Sequence, residues 1–394
     1  MVDIINNAAA LIAAVEQAER AGQPSTGLIR DYLARRRAAG QPLPEVAGDQ
    51  VTFLYVGRRG GPSTSVVFSA ERDGWPEDAP RLQRVGASAL YYHVEHLDPA
   101  ARFLYRYVVN GRRGADRLNP HQALKEQWAP KSELWMPAYH PAPQRSPLPH
   151  IPDGQLSEHL LPSAALGHER PVFIWTPPGY DPAAGGDYPF LLFHDGEGYI
   201  EYVGTPTILA NMIAAGQIPP VVAVFAPPLD RRREYSLSDA YVTFCAEEIP
   251  AFIAQTYPGV SRDPARRAVI GASLGGLISV YIAQRRPDVY GLVGSYSGAT
   301  RYDDYRVERE LETAPPRAVR FYLVAGLYER CLNHPHGAPG GPWDLLDNQR
   351  RLAAVLARLG IAHEAHEYPD GHNWGFWADH LAAGLAWLFG SAEC

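Results

Sequence analysis

A serine between two glycines ends a short apolar run of the chain. Gly271, Ser273 and Gly275 form the pattern G-x-S-x-G, with the strand-like "AVIG" before the serine and the helix-like "LGGLISVYIAQRR" after it. A sharp strand-to-helix turn lifts the serine hydroxyl above a sheet, and the glycines prevent clashes with the neighbouring chain. The following helix directs its N-terminal amides at the same point. Ser273 is therefore a candidate nucleophile, and the alternative is a small residue in a tight turn.

A serine nucleophile needs a histidine that accepts its proton and an acid that orients the histidine, in the chain order serine, acid, histidine. Of the 14 histidines, His372 fits this order, because it follows the last predicted strand in the loop "YPDGHNWGFW". Its alternative role is that of a loop residue that stabilises the N-terminus of the next helix. We expect His372 to be the general base.

Three carboxylates are candidates for the acid. Glu329 follows the predicted strand "RFYLVAG" in "GLYER" and is the preferred one. Asp344 and Asp347 lie further on in "PWDLLDNQ", and either would serve if the insert "NHPHGAPGGP" folded back. His334 and His336 in that insert are a weak metal signal, because no nearby acid or cysteine completes a site. No metal site is predicted.

Acyl transfer also needs amide donors for an oxyanion. The amide of Leu274 follows the serine, and the turn "LLFHDGEGY" offers the amide of Glu197 as the second donor. His194 and Asp195 in that turn are expected to brace it. Arg231, in "APPLDRRREYS" after another predicted strand, is a candidate substrate contact. The alternative for Arg231 is an ordinary charged loop.

The elements that hold these residues alternate along the chain from residue 153 to 394. Such alternation of buried strands and helices predicts βαβ units, a mostly parallel sheet and a three-layer α/β domain. Ligands bind beyond the carboxyl ends of the strands in that architecture. The strand-like runs are "PVFIWTP", "YPFLLFHDG", "VVAVFAP", "RAVIGAS", "GLVGSYSG", "RFYLVAG" and "HEAHEYP". The helical patterns cover 204–215, 240–256, 274–285, 344–359 and 374–389.

The chain before residue 153 has a different texture. Residues 3–38 show helical spacing that ends at the loop 40–45, so residues 1–45 are predicted to form an N-terminal helical segment. Residues 46–136 contain short runs rich in β-branched and aromatic residues, such as "VTFLYV" and "RFLYRYVV", which indicate a small antiparallel sandwich domain. Residues 137–152, "PAYHPAPQRSPLPHIP", hold six prolines and are predicted to be an extended linker.

Composition narrows the class of protein. A net charge of -7 over 394 residues gives no general attraction to nucleic acid or anionic membranes. The three cysteines are widely separated, which argues against a disulfide framework and fits a reducing compartment. The N-terminus resembles an amphipathic helix more than a signal peptide, and no apolar run reaches the roughly 18 residues of a membrane span. We expect a cytoplasmic protein without a cofactor, and its oligomeric state stays open.

Several of these motifs together resemble those of a known family. About the last 230 residues of the chain resemble the esterase D-type branch of the α/β hydrolases, and within it the enterochelin (ferric enterobactin) esterases. The similarity rests on "GASLGGL", "LLFHDGEGY", "DGHNWGFW", the R-x-x-E-Y element Arg231–Tyr235 and the G-x-x-E element Gly326–Glu329. The runs "VTFLYV" and "ADRLNPHQ" are similar to the immunoglobulin-like N-terminal domain of that family.

The resemblance implies an α/β-hydrolase domain preceded by an all-β immunoglobulin-like domain. It implies cleavage of the esters of catecholate siderophore trilactones in the cytoplasm, by a Ser/His mechanism with no metal beyond the iron of the substrate. Feruloyl and acetylxylan esterases share the serine and histidine motifs, so a carbohydrate-linked or general carboxylic ester is the alternative substrate. A non-catalytic ligand- or glycan-binding protein is the alternative of another class. The first hypothesis is a serine esterase for a small-molecule ester.

Overall fold

The structure, a computed structural model, describes residues 5–57, 64–123, 130–183, 185–330 and 343–390. Within this part of the chain there are two compact units. The first unit combines the chain up to His140 with the short segment Pro369–Gly371. The second unit holds the other described residues from Pro141 onward. The weak metal signal at His334 and His336 lies outside the described residues.

The first unit contains two antiparallel sheets preceded by two helices. Its helices are α1 (Ala8–Arg20) and α2 (Thr26–Ala38). Its strands are β1 (Glu45–Ala47), β2 (Gln50–Val56), β3 (Val66–Ala70), β4 (Gln83–Arg84), β5 (Leu90–His96), β6 (Arg102–Val109), β7 (Arg112–Gly114) and β8 (Ser132–Trp135). One sheet has the order β1-β2-β5-β4, and the other has the order β3-β6-β7 with β8 also paired to β6. Phe53 of the first sheet lies 4.5 Å from Phe68 and 5.1 Å from Tyr105 of the second, between ring centroids, so aromatic side chains join the two sheets.

The two helices and the sheet that contains β2 and β5 share one hydrophobic core. Leu11 of α1 and Tyr32 of α2 are buried in the same cluster as Leu54 of β2 and Leu90 of β5. The first unit therefore contains helices packed on a sheet, and the predicted boundary at residue 45 between a helical segment and a β-sandwich domain stays a prediction. The immunoglobulin-like character of the sheets stays a prediction.

The proline-rich stretch is packed onto the second unit from Pro141 onward. The side-chain amide of Asn211 donates to the carbonyls of Gln144 and Ser146, at 2.8 and 2.9 Å. Arg145 lies 2.7 Å from Asp379 in an ion pair. These contacts hold a segment that the proline content alone predicts to be a free extended linker.

The second unit is an α/β structure. Its strands are β9 (Gln155–Ser163), β10 (His168–Thr176), β11 (Phe190–His194), β12 (Val222–Ala226), β13 (Arg267–Ala272), β14 (Leu292–Tyr296), β15 (Arg320–Gly326) and β16 (His363–Tyr368). Its helices are α3 (Gly196–Gly198), α4 (Thr205–Ala214), α5 (Arg231–Tyr235), α6 (Asp239–Thr243), α7 (Ile249–Thr256), α8 (Leu274–Arg285), α9 (Tyr302–Thr313), α10 (Leu345–Arg358) and α11 (Trp374–Phe389).

These strands form a single sheet with helices on both faces. The order is β16-β15-β14-β13-β11-β12-β10-β9, and the strands from β16 to β12 are parallel, whereas β10 and β9 run antiparallel to their neighbours. Successive residues of β13 alternate between the faces: Val269 packs with side chains of α8 and α10, and Ile270 packs with side chains of α4 and α11. The predicted three-layer domain with a mostly parallel sheet is confirmed.

Besides the short helices α3 and α5, two longer elements of the second unit, β9 and α9, were not predicted from the sequence patterns. Strand β9 is an edge strand with mostly polar, partly exposed residues, so it lacks a clear apolar signal. Helix α9 is strongly charged and buries only Val307, Glu308 and Leu311, and its first turn has left-handed backbone at 303–305. Each element has few apolar residues, so the hydrophobic periodicity that indicates a strand or a helix is weak in its sequence.

Two kinds of feature are missing from the described part of the chain. None of its helices is long and apolar enough to cross a lipid bilayer. Within the same residues, no group of three or more His, Cys, Asp or Glu side chains is arranged around a common metal position.

Candidate active site

Ser273 lies in a strained turn between β13 and α8. Its backbone angles are φ 59° and ψ -120°, a region that residues with a side chain rarely adopt. The Ser273 amide donates to the carbonyl of Tyr296 at 2.8 Å, and its carbonyl accepts from the amide of Ala299 at 3.0 Å. The segment after β14 therefore holds the turn in place. Ser273 is half-buried, so its hydroxyl is within reach of solvent.

The two glycines of the motif, Gly271 and Gly275, make room for different parts of the chain. A side chain on Gly271 would overlap the main chain of Gly275, which crosses it at the turn. A Cβ on Gly275 would lie 3.2 Å from the Oδ2 atom of Asp195. The first glycine therefore closes the turn, and the second admits the loop that follows β11.

His372 and Glu329 form a direct hydrogen bond. The Nδ1 atom of His372 lies 2.7 Å from Oε1 of Glu329. Glu329 is fully buried, and its other carboxylate oxygen accepts from the amide of Gly326 at 3.0 Å. Because a carboxylate only accepts, Nδ1 carries the proton and Nε2 is left as a proton acceptor. The arrangement gives His372 the tautomer of a general base.

Neighbouring parallel strands bring these two residues together. Gly326 at the end of β15 pairs with Tyr368 at the end of β16, so the loops that carry Glu329 and His372 leave the sheet side by side. The ring of Trp377 meets the ring of His372 edge-on, with centroids 5.0 Å apart. The indole nitrogen of Trp377 donates to the hydroxyl of Ser297, which follows β14, at 3.0 Å. Trp377 thus links the ring of His372 to the segment after β14, which also holds the turn at Ser273.

The other candidate acids have a structural role. The Asp344 side chain caps the N-terminus of α10 and accepts from the amide of Asp347 at 2.8 Å. Asp347 itself is exposed in the first turn of that helix. Of the three carboxylates that the sequence offers, Glu329 is the one whose described contacts include His372.

The two predicted oxyanion donors both lie in the first turn of a helix. Leu274 begins α8, and Glu197 lies within α3, directly after the neighbouring strand β11. The first amides of a helix have no intrahelical acceptor, so both N–H groups are available to a ligand. A Cβ on Gly196 would lie 2.6 Å from the backbone carbon of Phe225, so only glycine allows the α3 turn to approach β12 this closely.

Arg231, the predicted substrate contact, is bound to the same loop. Its Nε and Nη2 atoms lie 2.7 and 2.8 Å from the two carboxylate oxygens of Asp195. Nη2 also donates to the carbonyl of Ala272, the residue before the serine, at 3.3 Å. Burial alone would lower the pKa of Arg231, but the carboxylate of Asp195 outweighs it and raises that pKa. Arg231 thus remains a cation that connects two loops.

His194 and Asp195 brace the loop that carries Glu197. His194 is fully buried, with Nδ1 3.1 Å from the hydroxyl of Tyr241. Burial, and then the charge of Arg231, lower the pKa of His194 to about 3, so this imidazole is neutral at physiological pH. The Asp195 amide donates to the hydroxyl of Tyr235 at 2.7 Å.

Sequence reasoning missed the pairing of Asp195 with Arg231 and the contact of Trp377 with His372. A signal for the first was present: two opposite charges stand in the loops that follow β11 and β12, which are neighbours in the sheet. Trp377 lies five residues after His372, at the start of α11. The helical periodicity of α11 does not show that this side chain contacts the histidine in the preceding loop.

Comparison with known proteins places the chain among esterases. The model of the family described as "Putative esterase" matches residues 163–388. The iron(III) enterobactin esterase of Dickeya dadantii is 26% identical over 296 residues, which make up 70% of this chain and 64% of that protein. The chain therefore spans less than two thirds of the length of that relative.

Solved structures show the same fold. The enterobactin esterase of Shigella flexneri, solved in the presence of 2,3-dihydroxy-N-benzoyl-glycine, gives a TM-score of 0.70 at 20% identity, over 90% of this chain and 98% of that one. A ferulic acid esterase of Anaeromyces mucronatus gives 0.51 at 18% identity, over 64% and 95% of the two chains. Because the family model covers more than half of the chain, including Ser273, Glu329 and His372, this protein belongs to that esterase family.

Proposed function

We propose that this protein is a serine esterase in which Ser273, His372 and Glu329 act as nucleophile, base and acid. The hydrogen bond of 2.7 Å between His372 and the fully buried Glu329 carries the proposal. One oxygen of this carboxylate holds the Gly326 amide, and the other, bonded to Nδ1, gives the imidazole the tautomer that a serine nucleophile requires. The strained turn at Ser273 supports the same role, because such strain gathers at functional sites.

The proposed reaction proceeds in two stages. In the first, Ser273 Oγ attacks the ester carbonyl while Nε2 of His372 accepts its proton. The carboxylate of Glu329 stabilises the resulting imidazolium, and the amides of Leu274 and Glu197 donate to the oxyanion. The intermediate then expels the alcohol, which takes the proton from His372. In the second stage, water activated by His372 attacks the acyl-enzyme and releases the acid.

The substrate that we propose is an ester of a catecholate siderophore, of the ferric enterobactin type. The relative from Dickeya dadantii, named as an iron(III) enterobactin esterase, aligns with 70% of this chain. The likeness to the Shigella flexneri enzyme covers 90% of the chain, and it therefore includes the first unit. The likeness to the ferulic acid esterase covers 64%, which favours a feruloyl or other carboxylic ester as the second candidate.

Hydrolysis of ferric enterobactin by the full-length protein, beside its Ser273→Ala variant, tests the proposal. We expect linear fragments, resolved by chromatography, from the unsubstituted protein and none from the variant. A parallel labelling with a fluorophosphonate, which reacts covalently with an activated serine, separates substrate from mechanism. Uptake at Ser273 without siderophore cleavage would keep the esterase and shift the substrate to feruloyl, acetyl or other esters. A folded protein that neither labels nor cleaves would refute the enzyme and favour a binding protein.

A further inference from the structure

We infer that Arg102 is a positioning residue for His372, because it holds the three residues that lead directly into the proposed base. The inference rests on the proposed function, since it assigns a role in the same site. Pro369–Gly371 belong to the first unit, as Arg102 does, and His372 is the next residue of the chain. The backbone that carries the imidazole therefore starts from a segment that the first unit holds.

Arg102 binds this segment through both its main chain and its side chain. Its amide donates to the carbonyl of Pro369 at 2.9 Å. Its Nη1 atom lies 3.2 Å from each carboxylate oxygen of Asp370, and both side chains are buried. The first contact fixes where the chain passes. The second fixes how the chain is rotated at that point, because a buried carboxylate has to face its cation.

The guanidinium of Arg102 is itself oriented by side chains of the first unit. Its Nη2 atom lies 2.9 Å from Oε1 of Glu133 on β8, and β8 pairs with β6, the strand that Arg102 begins. The guanidinium carbon also lies 5.8 Å from the centroid of the Tyr139 ring. A guanidinium donates in a rigid, planar fork, so the contact with Glu133 determines where Nη1 points. Arg102 thus presents a fixed donor to Asp370.

Asp370 transmits this orientation to the peptide before His372. Its Oδ1 atom accepts from the amide of Gly371 at 2.6 Å, as well as from Arg102. Gly371 lies tightly against the buried Glu71, since a Cβ on Gly371 would be only 2.6 Å from the Cδ atom of Glu71. One carboxylate oxygen therefore connects Arg102 to the residue that precedes the base.

The residue after His372 is fixed as well. The side chain of Asn373 accepts from the amide of Phe376 at 3.0 Å and so caps α11. His372 lies between this cap and Gly371, and its Nδ1 atom lies 2.7 Å from Glu329. A shift of the chain at Gly371 would turn or displace the ring. A displacement of about 1 Å at a reacting group lowers the rate by on the order of 100-fold.

A purely structural ion pair is the alternative role of Arg102 and Asp370. In that case a substitution lowers the stability of the protein, and the folded fraction keeps its full kcat. A positioning role predicts a loss of kcat in the folded protein. KM should change little, because the interaction that is lost acts on the transition state and not on substrate binding. The two roles therefore differ in the rate per folded molecule, which can be measured.

Steady-state kinetics on 4-nitrophenyl acetate, a small neutral ester, tests the inference, with the folded fraction of each full-length protein measured by circular dichroism. We expect Arg102→Met to lower kcat about 100-fold with little change in KM. Asp370→Asn keeps an acceptor for the Gly371 amide and loses the charge, so it should lower kcat about 10-fold. Arg102→Lys, which keeps the charge and loses the planar fork, should fall between Arg102→Met and the unsubstituted protein.

Arg106→Met is the matched control. Arg106 lies on the same strand β6 and is also buried, but its carboxylate partner is Glu77, at 3.6 Å, outside the segment before the base. The control therefore removes a buried cation of the first unit without touching Pro369–Gly371. We expect it to keep the kcat of the unsubstituted protein.

Proton NMR of the imidazole supplies a second readout that a merely structural pair would not change. A proton held between a histidine Nδ1 and a carboxylate resonates downfield of the amide protons, so its signal reports the bond from His372 to Glu329 directly. We expect this signal to shift or broaden in Arg102→Met and in Asp370→Asn, and to stay in place in Arg106→Met.

The outcomes separate the inference from the proposed function. A folded Arg102→Met protein with the unsubstituted kcat and an unmoved proton signal would overturn the inference, with the esterase intact. Equal losses of kcat in Arg102→Met and Arg106→Met would overturn it too, because the loss would then be one of general stability. If Arg102→Met does not fold, Asp370→Asn and Arg102→Lys decide between the same results. An unsubstituted protein that neither hydrolyses esters nor takes up a fluorophosphonate would instead refute the proposed function, and the inference with it.

Discussion

Replacement of Glu329 by glutamine removes one charge and one acceptor from a fully buried site. The carboxylate uses one oxygen for His372 Nδ1 and the other for the amide of Gly326, at 2.7 and 3.0 Å. Glutamine has a single oxygen, so it can satisfy only one of these two donors. If the oxygen faces Gly326, the NH₂ group faces Nδ1, the imidazole proton moves to Nε2, and the base is lost. If the oxygen faces His372, a buried N–H group stays unpaired, at a cost of about 1 to 3 kcal/mol.

The expected loss in kcat approaches the roughly 10⁴-fold effect of the corresponding change in a serine protease triad. The assay is kcat on 4-nitrophenyl acetate at pH 8. Urea unfolding beside it distinguishes the two orientations, because the free energy of unfolding falls by about 1 to 3 kcal/mol only if a buried N–H group stays unpaired. Asp344→Asn is a matched control, because it makes the same chemical change in the other candidate acid, and asparagine caps a helix as well as aspartate does. We expect that control to keep full activity and stability. A Glu329→Gln protein within tenfold of the unsubstituted kcat, or a large loss in Asp344→Asn, would show that the wrong acid has been assigned.

Three further outcomes concern stability. Ser273→Gly should be more stable than the equally inactive Ser273→Ala by about 1 kcal/mol in the free energy of unfolding, because glycine accepts φ 59° without strain. Its melting temperature should therefore be higher, and equal melting temperatures would contradict this. Burial raises the pKa of Glu308 to about 6 from its ordinary 4.5, so the native state is penalised above pH 6 and not below pH 4.5. In urea unfolding, Glu308→Gln should therefore raise the free energy of unfolding by on the order of 2 kcal/mol at pH 7.5 and leave it unchanged at pH 4. The same gain at both pH values would contradict a raised pKa of Glu308. Arg102→Met removes the buried partner of Asp370 and Glu133 and should lower the free energy of unfolding by about 3 to 5 kcal/mol in the same assay. A decrease below 1 kcal/mol would show that these ion pairs do not stabilise the fold.

The parallel core of the second unit could be predicted from the sequence because its strands are short apolar runs between glycine and proline. The same holds for the order of Ser273, Glu329 and His372, since the chemistry of acyl transfer restricts which residue types follow one another. The choice of Glu329 over Asp344 could be made only as a preference. Both residues follow the same predicted strand. Their contacts distinguish them, because Glu329 bonds to His372, whereas Asp344 caps a helix.

The pairing of Arg231 with Asp195 could not be predicted from local patterns. Three consecutive arginines, 231 to 233, are equivalent as letters of the sequence. The phase of α5, fixed by the buried Glu234, turns the first toward Asp195 and leaves the other two exposed. That phase depends on Arg170, which lies 64 residues before Glu234 in the chain. Pairings at such separations carry no periodicity, so the sequence showed the charged loop but not its partner.

The segment Pro369–Gly371 has a consequence for the order of events during protein synthesis. Arg102 donates its amide to Pro369 and pairs with Asp370, a residue 268 positions later in the chain. Ribosomes add about 5 to 20 residues per second, so this second carboxylate partner of Arg102, after Glu133, is made on the order of 10 to 50 seconds after the arginine itself. The first unit is therefore completed only after most of the second unit has been made. A nascent chain that stalls before Asp370 leaves Arg102 with Glu133 alone as its carboxylate partner in these two ion pairs, and we expect the first unit of such a fragment to be less stable than that of the full chain.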